Sequence, residues 1–270
     1  MSISIGPLAF PVAPLLWLLA LALGHWAATR WAHARGGAGA AEQVSMALGL
    51  GVLIGFAASR LAFVVSAWPA YGASPTSALD IRDGGWSPWV GVLAASTWLS
   101  WRAVRRPPLA PPLIGGGLLA LALWAALAFT VGTQRHLPVP DAALVALDGQ
   151  AARLPELAQG HPSVINLWAT WCAPCRVELP ALAAAQAARP EVRFLFVNQG
   201  ESATTVAAFL RAQPYRLHGV WLDAGSATGT LSGSSGLPTT LIYDSRGRLV
   251  HRHFGILTEA ALHARLAGLR

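Results

Sequence analysis

A chain of 270 residues with 54% hydrophobic and only 11% charged side chains and a mean hydropathy of +0.48 is too apolar for a disordered segment or an ordinary soluble surface. Its formal charge of +7 comes from 19 basic residues that are all arginine, scattered over both halves without a basic run or an interleaved aromatic platform, which argues against a nucleic-acid-binding function. Two cysteines cannot build a disulfide framework or a four-thiolate zinc site, so any cysteine chemistry comes from one pair.

Four apolar stretches, residues 8–29, 44–67, 89–104 and 112–131, each approach the about 20 residues that a helix needs to cross a bilayer. Together they predict an α-helical transmembrane bundle of about four helices over residues 1–134. The first stretch lacks a positive n-region and is long for a signal sequence, so it reads as a retained helix. The third is the shortest and runs into Arg102, which can snorkel to headgroups. Arg30 and Arg35 fall in the first loop, and Arg102, Arg105 and Arg106 in the third. The second loop, residues 68–88, holds Arg82 between Asp80 and Asp83. Arginine-rich short loops stay in the cytoplasm, which puts the second loop and everything after residue 134 on the outer face. Nine of the twelve tryptophans lie in this half, and Trp31, Trp68, Trp86, Trp89 and Trp101 sit near expected helix ends, as an interfacial belt requires. Arg60 lies inside an apolar run, where a charge is costly unless it reaches water, a partner or a headgroup. It is a candidate polar site, with a helix-end snorkel as the alternative.

The run Ala58-Ser59-Arg60-Leu61-Ala62-Phe63-Val64, followed by Pro75, Asp80 and Asp83-Gly84-Gly85-Trp86-Ser87, resembles the early part of the prolipoprotein diacylglyceryl transferases over about residues 5–105. In that family the glycine turn runs into Phe-His-Gly-Gly, whereas this chain reads Pro88-Trp89-Val90-Gly91. Tryptophan cannot do a histidine's proton chemistry, and the family's later membrane segments have no counterpart. The resemblance therefore implies a scaffold, a lipid-binding surface or a partner-docking module rather than acyl transfer.

Residues 133–140 form a short polar connector containing proline, which separates a second domain over residues 135–270. Residues 163–168 read as a buried strand, 174–188 as a helix, 192–198 as a strand and 204–212 as a helix. Strands follow at 241–243 and 249–254 around the turn Ser245-Arg246-Gly247, and a last helix starts near Thr258, whose hydroxyl can cap it with Glu259 in the first turn. Strands alternating with helices predict an α/β domain. Between the first strand and the first helix stands Trp171-Cys172-Ala173-Pro174-Cys175. Two cysteines at this spacing at a helix start can close a disulfide, and the free N–H groups there favour the thiolate of Cys172, making it the attacking sulfur. Cys175, one turn inside, resolves the mixed disulfide. Pro174 fits the first turn, where a missing N–H is harmless. None of the eight histidines stands beside the pair in sequence, against a metal site. A purely structural disulfide closing so small a loop would stabilise little.

The segment Leu167-Trp168-Ala169-Thr170-Trp171-Cys172-Ala173-Pro174-Cys175-Arg176-Val177-Glu178-Leu179-Pro180, with Val197-Asn198-Gln199-Gly200-Glu201-Ser202 and Gly236-Leu237-Pro238-Thr239-Thr240, resembles the TlpA/ResA-like thiol-disulfide oxidoreductases of thioredoxin fold. The resemblance implies a cis Pro238 which, with Leu237, Trp171 and Pro174, meets the substrate. It also implies that Glu201 is the acid near the cysteines, tuning or shuttling the proton of Cys175, against a solvated helix-start glutamate. Asn166 stands where thioredoxin has a buried aspartate, and Glu178 reads as a surface carboxylate. The implied protein is a membrane-anchored reductase of the bacterial inner membrane. Its thioredoxin-like domain faces the periplasm and uses no cofactor beyond the Cys172–Cys175 disulfide. The helical half has no cysteine, so electrons must come from a separate membrane donor of the DsbD or CcdA kind. Oxidised periplasmic proteins such as apocytochrome c or copper-site proteins are the implied substrates, with membrane lipids around the helices. The alternatives are a disulfide donor, and a lipid- or lipoprotein-binding scaffold whose redox half serves recognition.

Overall fold

The computed structural model describes residues 2–5, 8–71, 78, 85–132, 137–234, 236–267 and 269. The expectations placed on Pro75, Asp80, Arg82, Asp83, Gly84 and residues 133–136 lie outside the described residues. The chain forms two compact units, one comprising Ala13–Trp68 and Gly85–Gly132 and the other containing all the described residues from 137 onward.

The chain opens on two short antiparallel strands, β1 (Ser2–Ile5) and β2 (Leu8–Pro11), so the first apolar stretch begins as a strand and becomes helical only at Val12. Helix α1 (Val12–Ser66) is interrupted at Gly37, where φ is 71°, a conformation open to glycine because it has no Cβ. His25 Nε2 and Ser45 Oγ lie 3.1 Å apart across a separation of 20 residues. A straight helix of that length would hold them about 30 Å apart, so the two arms of α1 fold back on one another. The loop expected between residues 29 and 44 thus shrinks to a glycine break. Alanines and arginines around it are strong helix formers, and their propensity outweighs the charge that suggested a loop.

After α2 (Trp68–Tyr71) come α3 (Pro88–Arg105), a 3-10 turn over Pro107–Leu109, and α4 (Ala110–Gly132). A Cβ on Gly24 would meet the carbonyl of Gly116 at 2.8 Å, and one on Gly91 would meet the carbonyl of Gly55 at 2.8 Å. Glycine therefore lets the first arm of α1 approach α4, and the second arm approach α3, as small residues do between membrane helices. Among the described residues, Leu16–Ser66 and Pro107–Leu127 are long and apolar enough to cross a membrane, with mean hydropathies of 2.0 and 1.7. Arg60 donates to the Gly85 carbonyl at 2.8 Å and lies 5.9 Å from the Trp86 ring. It fastens α1 to the segment that leads into α3.

The second unit is a seven-stranded sheet in the order β4-β3-β7-β6-β5-β8-β9. Its strands are β3 (Ala143–Ala146), β4 (Ala151–Arg153), β5 (Ser163–Trp168), β6 (Arg193–Gln199), β7 (Val220–Asp223), β8 (Thr239–Tyr243) and β9 (Leu249–Phe254). Strands β5, β6 and β7 run parallel, joined by crossovers through α6 (Ala173–Ala188) and α7 (Ala203–Arg211). Strands β8 and β9 add antiparallel on the β5 side, and β3 and β4 antiparallel on the β7 side. The shorter α5 (Leu154–Ala158), α8 (Ala227–Leu231) and the last helix α9 (Glu259–Ala267) complete it.

Alternation along β5 sorts the core into two layers, because successive strand side chains point to opposite faces. Val164 and Trp168 pack with both cysteines, Leu179 and Leu182 of α6 and Leu262 of α9. Ile165 and Leu167 pack on the other face with Leu144, Leu154 and Tyr243. Strands β3, β4 and β7 and helices α5 and α8 were not expected from the sequence; each is only three to five residues long, too short to show a period.

Candidate active site

The site lies at the carboxyl end of β5, where buried strand gives way to α6. Cys172 is the N-cap of α6, and the Cys175 N–H reaches its sulfur at 3.2 Å. The two sulfurs are joined in a disulfide with the Cα atoms 5.3 Å apart. Cys172 is 4% exposed and Cys175 fully buried. Free N–H groups at a helix start carry partial positive charge, so once the bond is reduced they favour the anion on Cys172. Pro174 occupies the first turn. Trp171 and Val177 stand 69% and 65% exposed beside the disulfide, an apolar rim on an otherwise sealed pair of sulfurs. The Leu237–Pro238 peptide bond is cis; Pro238 is buried and its carbonyl accepts the Gly255 N–H at 2.9 Å. Leu237 packs partly buried against the core layer that holds the cysteines.

The two glutamates take different places. Glu201 accepts from the Thr170 N–H at 2.7 Å, the Thr170 hydroxyl at 2.5 Å and the Asn198 amide at 2.7 Å. It ties the end of β6 to the segment just before Trp171. Glu178 is not a surface carboxylate: it is 1% exposed, one helical turn beyond Cys175. Asn166 donates to one of its oxygens at 2.7 Å and the Leu257 N–H to the other at 3.0 Å. Burial pushes its carboxyl up to about 7, against the two hydrogen bonds, which favour the carboxylate. The signal lay in the helix period: positions 175, 178, 179, 182 and 185 make one buried stripe, and a carboxylate on that stripe is enclosed whatever its intrinsic preference.

A parallel core with antiparallel flanks, a Cys-Ala-Pro-Cys disulfide at a helix start and a cis proline ahead of the next strand define a thioredoxin-like thiol-disulfide oxidoreductase. Residues 136–267 match the AhpC/TSA family. The chain is 34% identical over 125 residues to the thiol:disulfide interchange protein HelX of Rhodobacter capsulatus, covering 44% of this chain and 69% of that protein. It is 29% identical over 173 residues to the thiol:disulfide interchange protein DsbE of Pseudomonas aeruginosa, covering 62% and 93%. With the thiol-disulfide oxidoreductase ResA of Bacillus subtilis it shares 30% over 126 residues, covering 46% and 69%. The chain belongs to the thioredoxin-like thiol:disulfide interchange proteins. The likeness of the first unit to diacylglyceryl transferases gains no support from these matches.

Proposed function

We propose that the protein is a membrane-anchored reductase of disulfides in periplasmic proteins. The observation that carries the direction is Glu178, a carboxyl enclosed one turn beyond Cys175. Strong oxidants of this fold are oxidising because their reduced, thiolate form is stabilised. A buried carboxyl resists negative charge near the sulfurs, which favours the disulfide over the thiolate and so lowers the reduction potential.

The reduced Cys172 thiolate attacks one sulfur of the substrate disulfide, forming a mixed disulfide and expelling the first substrate sulfur as a thiolate, which takes a proton from solvent. Cys175 then loses its thiol proton to the Glu178 carboxylate and attacks Cys172 Sγ, expelling the second substrate thiolate and leaving the Cys172–Cys175 disulfide. Two electrons pass to the substrate. Trp171, Pro174, Leu237 and Pro238 form the rim that meets it, and Glu201 holds the Thr170 end of that rim. Four membrane crossings, with the arginines of the first and third connections inside, put the thioredoxin-like unit in the periplasm. A membrane donor of the DsbD or CcdA kind then restores the dithiol, and apocytochrome c or copper-site proteins are substrates of the right chemistry.

The Cys175 N–H on the Cys172 sulfur favours the opposite reading, a disulfide donor, because it stabilises the reduced thiolate. Equilibrating the full-length protein with dithiol buffers of known potential decides between them. The reductase gives a midpoint near the thioredoxin value of about −270 mV; a value near the about −120 mV of a strong oxidant means that the helix terminus outweighs Glu178.

A further inference from the structure

Asn166, Thr240 and His253 pair in register across β5, β8 and β9, so the three side chains form one row on one face of the sheet. That face carries Glu178, since Asn166 donates both to Glu178 and, at 3.1 Å, to Thr240 Oγ1. His253 is 9% exposed, and its Nε2 lies 3.0 Å from the Ile256 carbonyl. A carbonyl only accepts, so this nitrogen carries the proton and donates. The short turn that the ring thereby clasps, residues 255–257, has two further bonds into the site. The Gly255 N–H holds the Pro238 carbonyl at 2.9 Å and the Leu257 N–H holds Glu178 Oε2 at 3.0 Å. Gly255 itself has φ 97°, a conformation that glycine adopts freely, so the turn depends on such clasps for its definition.

Given Glu178 as the proton partner of Cys175, on which this rests, we propose that His253 is a positioning residue for the reaction. Through the Ile256 carbonyl it fixes the turn that orients the Glu178 carboxylate and the Pro238 carbonyl together. The titratable side chains on its face of the sheet include Glu178, Cys172 and Cys175 once reduced, and His251, whose ring stacks on that of His253 with centroids 6.4 Å apart. The Leu257 N–H favours the ionised carboxylate. Loosening the turn therefore raises the proton affinity of Glu178, while a side chain that donates from the same reach restores it.

The test is a carboxyl-carbon NMR titration of Glu178 in the full-length protein, with Glu178→Gln identifying the signal. His253→Asn, whose amide is too short for the Ile256 carbonyl, moves the Glu178 midpoint up by about one pH unit, a tenfold change in proton affinity. His253→Gln, whose amide reaches as far as Nε2, returns it to the wild-type value. Should His253→Asn fail to fold, His253→Thr, whose hydroxyl is likewise too short to reach the Ile256 carbonyl, reads the same shift. A midpoint unmoved by loss of the donor, with thermal stability lowered alike in all variants, overturns the proposal and leaves His253 a packing residue. If the titration near neutrality survives in Glu178→Gln, Glu178 is not the acid, and both the proton-partner reading and this one fall; a lost signal with an unmoved midpoint sinks only the positioning role.

Discussion

Cys172→Ser will abolish thiol-disulfide exchange, lowering turnover of a model protein disulfide on the order of a thousandfold or more, since no other group in the chain can replace the attacking sulfur. Cys172 is the N-cap sulfur and the partner of the only other cysteine, Cys175. Serine can still accept the Cys175 N–H as an N-cap, so the fold survives and the loss reads chemistry rather than stability. Cys175→Ser behaves differently. It attacks but cannot resolve, so mixed disulfides through Cys172 accumulate and capture the physiological substrates covalently. Unchanged cellular function in Cys172→Ser would contradict the account and favour the recognition-only scaffold.

Glu178→Gln will flatten the pH dependence of stability near neutrality. The carboxyl titrates at about 7 in the folded protein against an ordinary 4.5. A folded value above the unfolded one means that the native state holds the proton more tightly. The stability it contributes is complete below pH 4.5 and lost as pH rises to about 7, a loss of about 3 kcal/mol at the full shift. Other carboxylates have their own slopes, so the informative quantity is wild type minus variant, measured by denaturant unfolding of the oxidised protein at several pH values. Glutamine can be housed: the Asn166 amide oxygen is buried without a hydrogen-bond partner, and a flip of that amide lets it accept from the new side chain. A difference that does not vary between pH 4.5 and 7 would mean that Glu178 does not hold its proton across that range.

The chemistry of the second unit was legible because it is local. The Trp-Cys-Ala-Pro-Cys run, the buried strand before it and the proline before β8 each announce themselves in a few adjacent residues. The burial of Glu178 did not, because Glu178 and its partners Asn166 and Leu257 come from three distant points of the chain. Glu201, which the resemblance singled out, is held by Thr170 and Asn198. The hairpin of β3 and β4 did have a local signal, the Asp148-Gly149 turn with Gly149 at φ 90°, but its strands are too short to show alternation. In the helical unit, the apolar stretches fall on α1, α3 and α4, except that the first begins as strand β2. Hydropathy could not show that residues 30–36 and 38–43 are helical too, because charge and glycine there mimic a loop while alanine sustains the helix.

A reductase requires the Cys172–Cys175 pair to be kept reduced by electrons from the membrane so that it can reduce other proteins. Acid-quenched thiol trapping in cells with a mass-tagged alkylator measures this directly, with and without the membrane electron donor. A reductase shows a mostly reduced pair that becomes oxidised when the donor is removed. A pair that is oxidised in both strains would contradict a reductase role, and would turn the same geometry into a disulfide donor.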